Sequence, residues 1–187
     1  GGVRKGNTPE GVKTLAEIKA PLSKDVVKDM NVNSLNVVAD NLFLALGERR
    51  FNAPGTVDKG IKAVNEFLGT FGIDSAGARI FDGSGVKEGN RVTAGIIAQY
   101  LYEVSKREWF EDFKNSLPRT GEGTLKEIKF VDSRFRIKTG SLENAYAIAG
   151  YGVDVRGKKI AFSYIVNVPG AGFMGLQEAG AEVMRYL

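Results

Sequence analysis

Apolar positions recur every three or four residues through the first two thirds of the chain, and at every second residue through much of the final third. Leu22, Val26, Val27 and Met30 share one helical face, and Val37, Val38, Leu42, Leu44, Ala45 and Leu46 mark a second. The pattern predicts helix from Pro21 to Gly47, with Gly47 as its stop. The polar run Asn31 to Asn36 breaks it and suits a helix N-cap. Pro54 and Thr56 open another helix, with Ile61, Val64, Phe67 and Leu68 facing inward. The short apolar run Ala78 to Phe81 enters a turn at Asp82-Gly83-Ser84-Gly85. Thr93 caps an amphipathic helix carrying Ile96, Ile97, Tyr100, Leu101 and Val104, and Trp109 to Phe113 predict one or two further turns. Pro118 to Gly123 read as a loop.

Period two then takes over. Phe135 to Lys138, Ala145 to Val153 and Lys158 to Val166 are strands, the last pair joined by a turn at Arg156-Gly157. Helical spacing returns from Phe173 to Leu187. Helices, then an antiparallel meander, then a closing helix make an α+β layout. Residues 1–20 read as a loop with a short strand, leading from a part of the protein not present. Residues 21–187 read as one domain portion: helical over 21–115, stranded over 130–167 and closed by a helix over 173–187. Trp109, Phe110 and Phe113 are expected in the core, Tyr146 and Tyr151 in strand packing, and Met174 and Met184 as core fillers.

Composition narrows the chemistry. The 187 residues, 43% apolar and 26% charged, suit a folded domain. No His and no Cys occur, which excludes Ser-His-Asp and Cys-His catalysis, disulfides and zinc held by those residues. Any general base has to be a lysine or a carboxylate. Nothing in the pattern calls for a cofactor or a metal. The net charge of +4 is spread among acids with no basic stripe, which argues against a nucleic-acid partner. No apolar run reaches the length of a transmembrane segment, and Gly1 to Gly6 carry no signal-peptide core. The opening Gly-Gly-Val-Arg-Lys-Gly reads like a cut made inside a longer protein.

The strongest local signal is Lys138-Thr139-Gly140-Ser141 at the end of a strand. A Lys-Thr-Gly triplet on a strand bordering the active site is a mark of serine acyl enzymes related to penicillin-binding proteins. A cation, a hydroxyl and edge-strand N–H groups there meet a substrate carboxylate and a developing oxyanion, and glycine lets a substrate backbone come close. Ser34-Leu35-Asn36 supplies the Ser-x-Asn element, common by chance but placed here between two helices and upstream of Lys138.

Four blocks extend the match. Met30 to Asp40, Asp82 to Val86 with Asn90 to Thr93, Ser116 to Pro118 with Gly123 to Leu125, and Ile137 to Leu142 with Ala149 to Tyr151 resemble, in order, the penicillin-binding D-alanyl-D-alanine carboxypeptidases of peptidase family S13. The resemblance covers residues 15–185. It implies a β-lactamase/penicillin-binding-protein transpeptidase-like α+β fold, an antiparallel sheet packed by helices and incomplete at its N-terminal side. It implies a serine-type peptidase of the cell envelope, outside the cytoplasmic membrane. Such an enzyme hydrolyses peptidoglycan stem peptides ending in D-Ala-D-Ala through an acyl-serine, and is acylated by β-lactams. Endopeptidase and β-lactamase activities share these motifs.

By that resemblance Ser34 bonds the catalytic lysine and relays a proton to the leaving D-alanine. Asn36 binds the substrate amide, and Lys138 and Thr139 hold the terminal carboxylate. Gly140 leaves room for the substrate, and the N–H of Ser141 is one oxyanion donor. The family's Ser-x-x-Lys motif, nucleophile and base, has no match in residues 1–33. Ser84-Gly85-Val86-Lys87 has the spacing but lies downstream of Ser34, in a glycine-rich stretch that argues against the helix such a nucleophile needs. The nucleophile is therefore expected elsewhere in the gene product, and this fragment alone is expected to be inactive. The alternative is a non-catalytic relative that binds peptidoglycan stems or serves structurally, the nucleophile lost. Without the other blocks, Ser34 reads as a helix cap and Asn36 as a backbone partner.

Overall fold

The computed structural model describes residues 6–7, 10–13, 23–169 and 172–187, with side chains of 172–176 excepted. Most of the 1–20 segment, and the side chain of Met174, lie outside the described residues. Among the described residues six helices and three strands occur, in the order α1 (Ser23–Asn33), α2 (Asn36–Phe51), α3 (Val57–Gly69), α4 (Ala94–Val104), α5 (Phe110–Ser116), β1 (Arg136–Leu142), β2 (Ala145–Val153), β3 (Lys159–Asn167) and α6 (Gly172–Tyr186). A 3-10 turn, Gly123–Leu125, precedes the strands.

The period-two segment folds as an antiparallel sheet in the order β1-β2-β3, but β1 starts one residue later than read and runs on past Lys138 to Leu142, so Lys138 to Ser141 lie within the strand rather than at its end. Lys138 stands opposite Ala149 and Thr139 opposite Ile148, so these neighbours leave the sheet on opposite faces. One face carries Ile137, Tyr146, Ile148 and Phe162, fully or nearly buried with Leu125, Val131, Phe135 and Met184. Helix α6 covers the middle of that face. The other face carries Tyr151, packed with Leu101 of α4 and Leu117, while Phe110 and Phe113 of α5 close in. Burying an aliphatic or aromatic side chain this fully stabilises by about 1.5–3 kcal/mol. Tyr151 also donates its hydroxyl proton to the carbonyl of Leu101 at 2.8 Å, tying sheet to helix. Lys138 lies on this second face, towards the helices.

The expected caps form at two helices. Thr56 Oγ1 accepts from the N–H of Lys59 at 3.3 Å, and Thr93 Oγ1 from that of Ile96 at 3.1 Å. Several expectations need correction. Helix α2 does not stop at Gly47 but runs on to Phe51. Gly47 is the buried contact with α3, where a Cβ would stand 2.7 Å from the nitrogen of Gly60. The apolar face read on α2 omitted its most buried side chain, Phe43, whereas Val37 and Leu46 face solvent. Phe67 is 43% exposed rather than inward, and Trp109 is 44% exposed, packing edge-on against Phe113 instead of entering the core. Tyr146, Tyr151 and Met184 are buried.

Candidate active site

Helix α1 ends at Asn33 and α2 begins at Asn36, so Ser34 and Leu35 alone turn the chain. Ser34 takes a left-handed backbone, φ 55°. That conformation costs a non-glycine residue about 1–2 kcal/mol. The N–H of Leu35 reaches back to the carbonyl of Met30 at 3.0 Å and closes the end of α1. Leu35 occupies the cap position of α2 without a side-chain cap bond, so Ser34 is not a helix cap. Its hydroxyl has another partner: Lys138 Nζ, 104 residues away, donates to Ser34 Oγ at 2.9 Å.

The same ammonium donates to the carbonyl of Thr139 at 2.6 Å. Burial of the amine pulls its pKa below the ordinary 10.5. Thr139 is itself buried, and its hydroxyl lies 3.5 Å from that of Thr124 on the 3-10 turn. Beyond it Gly140 and Ser141 are exposed on the outer side of β1. This strand pairs only with β2 among the described residues; on its other edge the Ile137 N–H donates to the carbonyl of Pro118 at 3.2 Å and the Thr139 carbonyl accepts from Lys138, and the Gly140–Ser141 end lines the cleft. A cleft of about 570 Å³ opens there, lined by Ser34, Thr124, Glu127, Ile128, Thr139, Gly140, Ser141, Tyr146 and Gln177.

Two contacts fix the helical wall. Asn31 Nδ2 donates to Ser116 Oγ at 2.8 Å, and that buried hydroxyl donates to the carbonyl of Phe113 at 2.6 Å, joining the last turn of α1 to α5. Gly123, at φ 45°, lies against the carbonyl of Val32, where a Cβ would stand only 1.9 Å from the oxygen. No other residue type brings Thr124 so close to α1.

Of the residues singled out in the sequence, Ser34, Thr139, Gly140 and Ser141 share the cleft, and Lys138 joins it through Ser34. Asn36 is exposed on the first turn of α2 and does not line the cleft. Ser84 belongs to no helix: its N–H and that of Gly83 donate to Asp40 Oδ1 at 2.9 and 3.0 Å. Asp82 in turn accepts from the N–H groups of Gly85 and Lys87 at 2.6 Å each, and from Asn90 Nδ2 at 3.1 Å. The 82–90 stretch is thus a braced loop clipped to α2, and the Ser-x-x-Lys spacing within it has no helical register. Sequence reasoning did not single out Thr124, Glu127 or Asp40 for the site. Thr124 and Asp40 stood inside matched blocks, but Glu127 carried no signal. No cluster of metal-ligating side chains occurs among the described residues.

This arrangement holds a cation, two hydroxyls and an open strand edge in one groove, the equipment for gripping a peptide's carboxyl end and steadying charge on its carbonyl oxygen. The sequence model of the D-Ala-D-Ala carboxypeptidase 3 (S13) family matches residues 1–183. The chain belongs to that family. A D-alanyl-D-alanine carboxypeptidase of Actinomadura sp. (strain R39) is 32% identical over 157 residues, 79% of this chain and 29% of that protein. Penicillin-binding protein 4 of Haemophilus influenzae, solved in complex with a β-lactam, superposes with a TM-score of 0.73 at 25% identity, covering 86% of this chain and 39% of that one. An extended-spectrum β-lactamase superposes with a TM-score of 0.61 at 18% identity over 87% of this chain, so the fold is shared with those enzymes too. The chain thus spans well under half the length of these S13 relatives. No helix among its described residues is long and apolar enough to cross a membrane.

Proposed function

We infer that this S13 chain supplies the Ser-x-Asn and Lys-Thr-Gly walls of a serine-type D-Ala-D-Ala carboxypeptidase. Its substrates are peptidoglycan stem peptides in the cell envelope, outside the cytoplasmic membrane. The observation that carries the reading is the 2.9 Å hydrogen bond from Lys138 to Ser34 across one cleft. Two motifs far apart in sequence meet there in the order and on the elements their chemistry requires. The nucleophilic serine and its lysine base come from a Ser-x-x-Lys segment of the full-length protein outside this chain. That serine attacks the carbonyl of the penultimate D-alanine. Ser34 passes a proton to the departing amine of the last D-alanine, while Lys138 and Thr139 hold its carboxylate. The N–H of Ser141 steadies the oxyanion from the β1 edge, and Gly140 leaves space for the substrate backbone. Water then cleaves the acyl-serine. Asn36 orients the substrate amide once α2 meets the nucleophile segment. This chain alone is inactive.

Two assays on the full-length protein test the proposal: release of D-alanine from an acyl-D-Ala-D-Ala peptide, and covalent labelling by a fluorescent penicillin. D-Alanine release together with a label on a serine followed three residues later by lysine, outside 84–87, is the expected result. Binding of stem peptides with neither release nor label would instead establish a non-catalytic relative, a reading favoured by the lack of a Ser-x-x-Lys match upstream of Ser34 in this sequence.

A further inference from the structure

Two threonine hydroxyls meet in the cleft. Thr139 is buried on β1, and Thr124 is half-buried on the 3-10 turn, 15 residues earlier. As the pair stands, Thr139 Oγ1 donates to Thr124 Oγ1 at 3.5 Å. Each backbone is held independently of this bond. Thr139 sits in the β1–β2 ladder opposite Ile148. Thr124 lies between Gly123, pressed against the Val32 carbonyl of α1, and Leu125, fully buried in the core of the sheet. The N–H of Leu125 donates to the carbonyl of Glu122 at 2.8 Å and closes the turn. The turn therefore delivers a hydroxyl to Thr139 from an element that belongs to neither Ser-x-Asn nor Lys-Thr-Gly.

A hydroxyl has one proton to give and two lone pairs to receive. A carboxylate held by Thr139 takes that single proton, which now goes to Thr124. A buried hydroxyl pair that loses its internal hydrogen bond is destabilised unless the bond is remade. Thr124 remakes it by turning its own O–H towards Thr139 Oγ1. Neither O–H bond breaks; only the two rotors turn.

We propose that Thr124 is a positioning residue for Thr139, a reversible partner that frees the Thr139 proton for the substrate's terminal carboxylate and steadies the Thr139 oxygen in return. This rests on the carboxypeptidase reading of the cleft and adds to it a residue outside both motifs.

The test uses the full-length protein and two activated substrates: an acyl-D-alanyl thioester of thioglycolic acid, and its methyl ester, which lacks the terminal carboxylate. The wild type favours the free acid. Thr124→Val, which keeps the branched shape and removes the hydroxyl, should lower kcat/KM for the free acid by about two- to tenfold, the range of one neutral hydrogen bond, mainly through KM. The methyl ester should be unaffected, and Thr124→Ser should restore the wild-type ratio. That ratio is internal to each variant, so it holds whatever fraction of the protein is active. Equal losses on both substrates, an unchanged ratio in Thr124→Val, or a Thr124→Ser that behaves like Thr124→Val overturns the role of Thr124 and leaves the carboxypeptidase reading standing. Failure of the wild type both to release D-alanine and to take a penicillin label overturns that reading, and this assignment with it.

Discussion

At the scale of the residue, the site turns on a lysine that is partly stripped of water. Burial lowers the pKa of Lys138 from 10.5, so the unfolded chain holds that proton more tightly than the folded one. The cost is fully present where both states are protonated. It is relieved as pH climbs from the depressed value towards 10.5, which makes folding stability rise with pH in that window. Replacing Lys138 by Met removes the dependence. Urea unfolding of the full-length protein at several pH values should therefore show the wild type gaining on Lys138→Met as pH rises towards 10.5. A difference that moves the other way would mean the ammonium is favoured by folding. The sequence displayed Lys138 and Ser34 as motif members, but their meeting spans 104 residues, a separation no local periodicity specifies. The order of the four blocks carried that information instead. Reading Ser34 as a cap failed for a related reason. A side chain that caps its own helix points along it, whereas the left-handed φ of 55° turns Ser34 to Lys138.

At the scale of elements, the cleft depends on how closely the turn before the strands approaches α1. Gly123→Ala forces a Cβ to within 1.9 Å of the Val32 carbonyl and places alanine at φ 45°. Left-handed strain and overpacking together are expected to cost about 2–4 kcal/mol. Denaturant titration checks the loss, and wild-type stability in the variant would show that the turn is not pinned. The clip between α2 and the 82–90 loop makes a different prediction. Asp40→Ala removes the acceptor for the N–H groups of Gly83 and Ser84, so those two amides should exchange with deuterium faster, by about tenfold for each 1.4 kcal/mol of lost protection. Unchanged exchange at both would show that the loop stays docked without the aspartate. Alternation marked the bounds of β2 correctly because the strand is packed on both faces by small and large residues in turn. Gly47 misled because glycine ends helices and also permits two helices to touch, and only the position of α3 separates the two uses. Phe43 escaped notice because its partner is the bare surface of Gly60, which leaves no apolar pattern on α3.

At the scale of the whole molecule, the sheet divides the chain's chemistry from its support. The α6 face holds the larger buried core, the α4–α5 face turns Lys138 towards the helices, and beyond Ile137 the β1 edge has no strand partner among the described residues. The fold class was legible from helix and strand order alone, whereas the joining of helical wall to strand edge was legible only through family resemblance. Ser34 and Lys138 are hydrogen-bonded at that junction; the proposed function has them act as one unit, and a double-mutant cycle on penicillin acylation of the full-length protein tests this most directly. Ser34→Ala and Lys138→Ala should each slow acylation by about 10²–10³-fold, the cost of removing a positioned polar group from such a site. The double variant should be little slower than the worse single one, because each substitution breaks the same interaction. Single variants that acylate at the wild-type rate, or losses that multiply as for independent sites, would contradict the account.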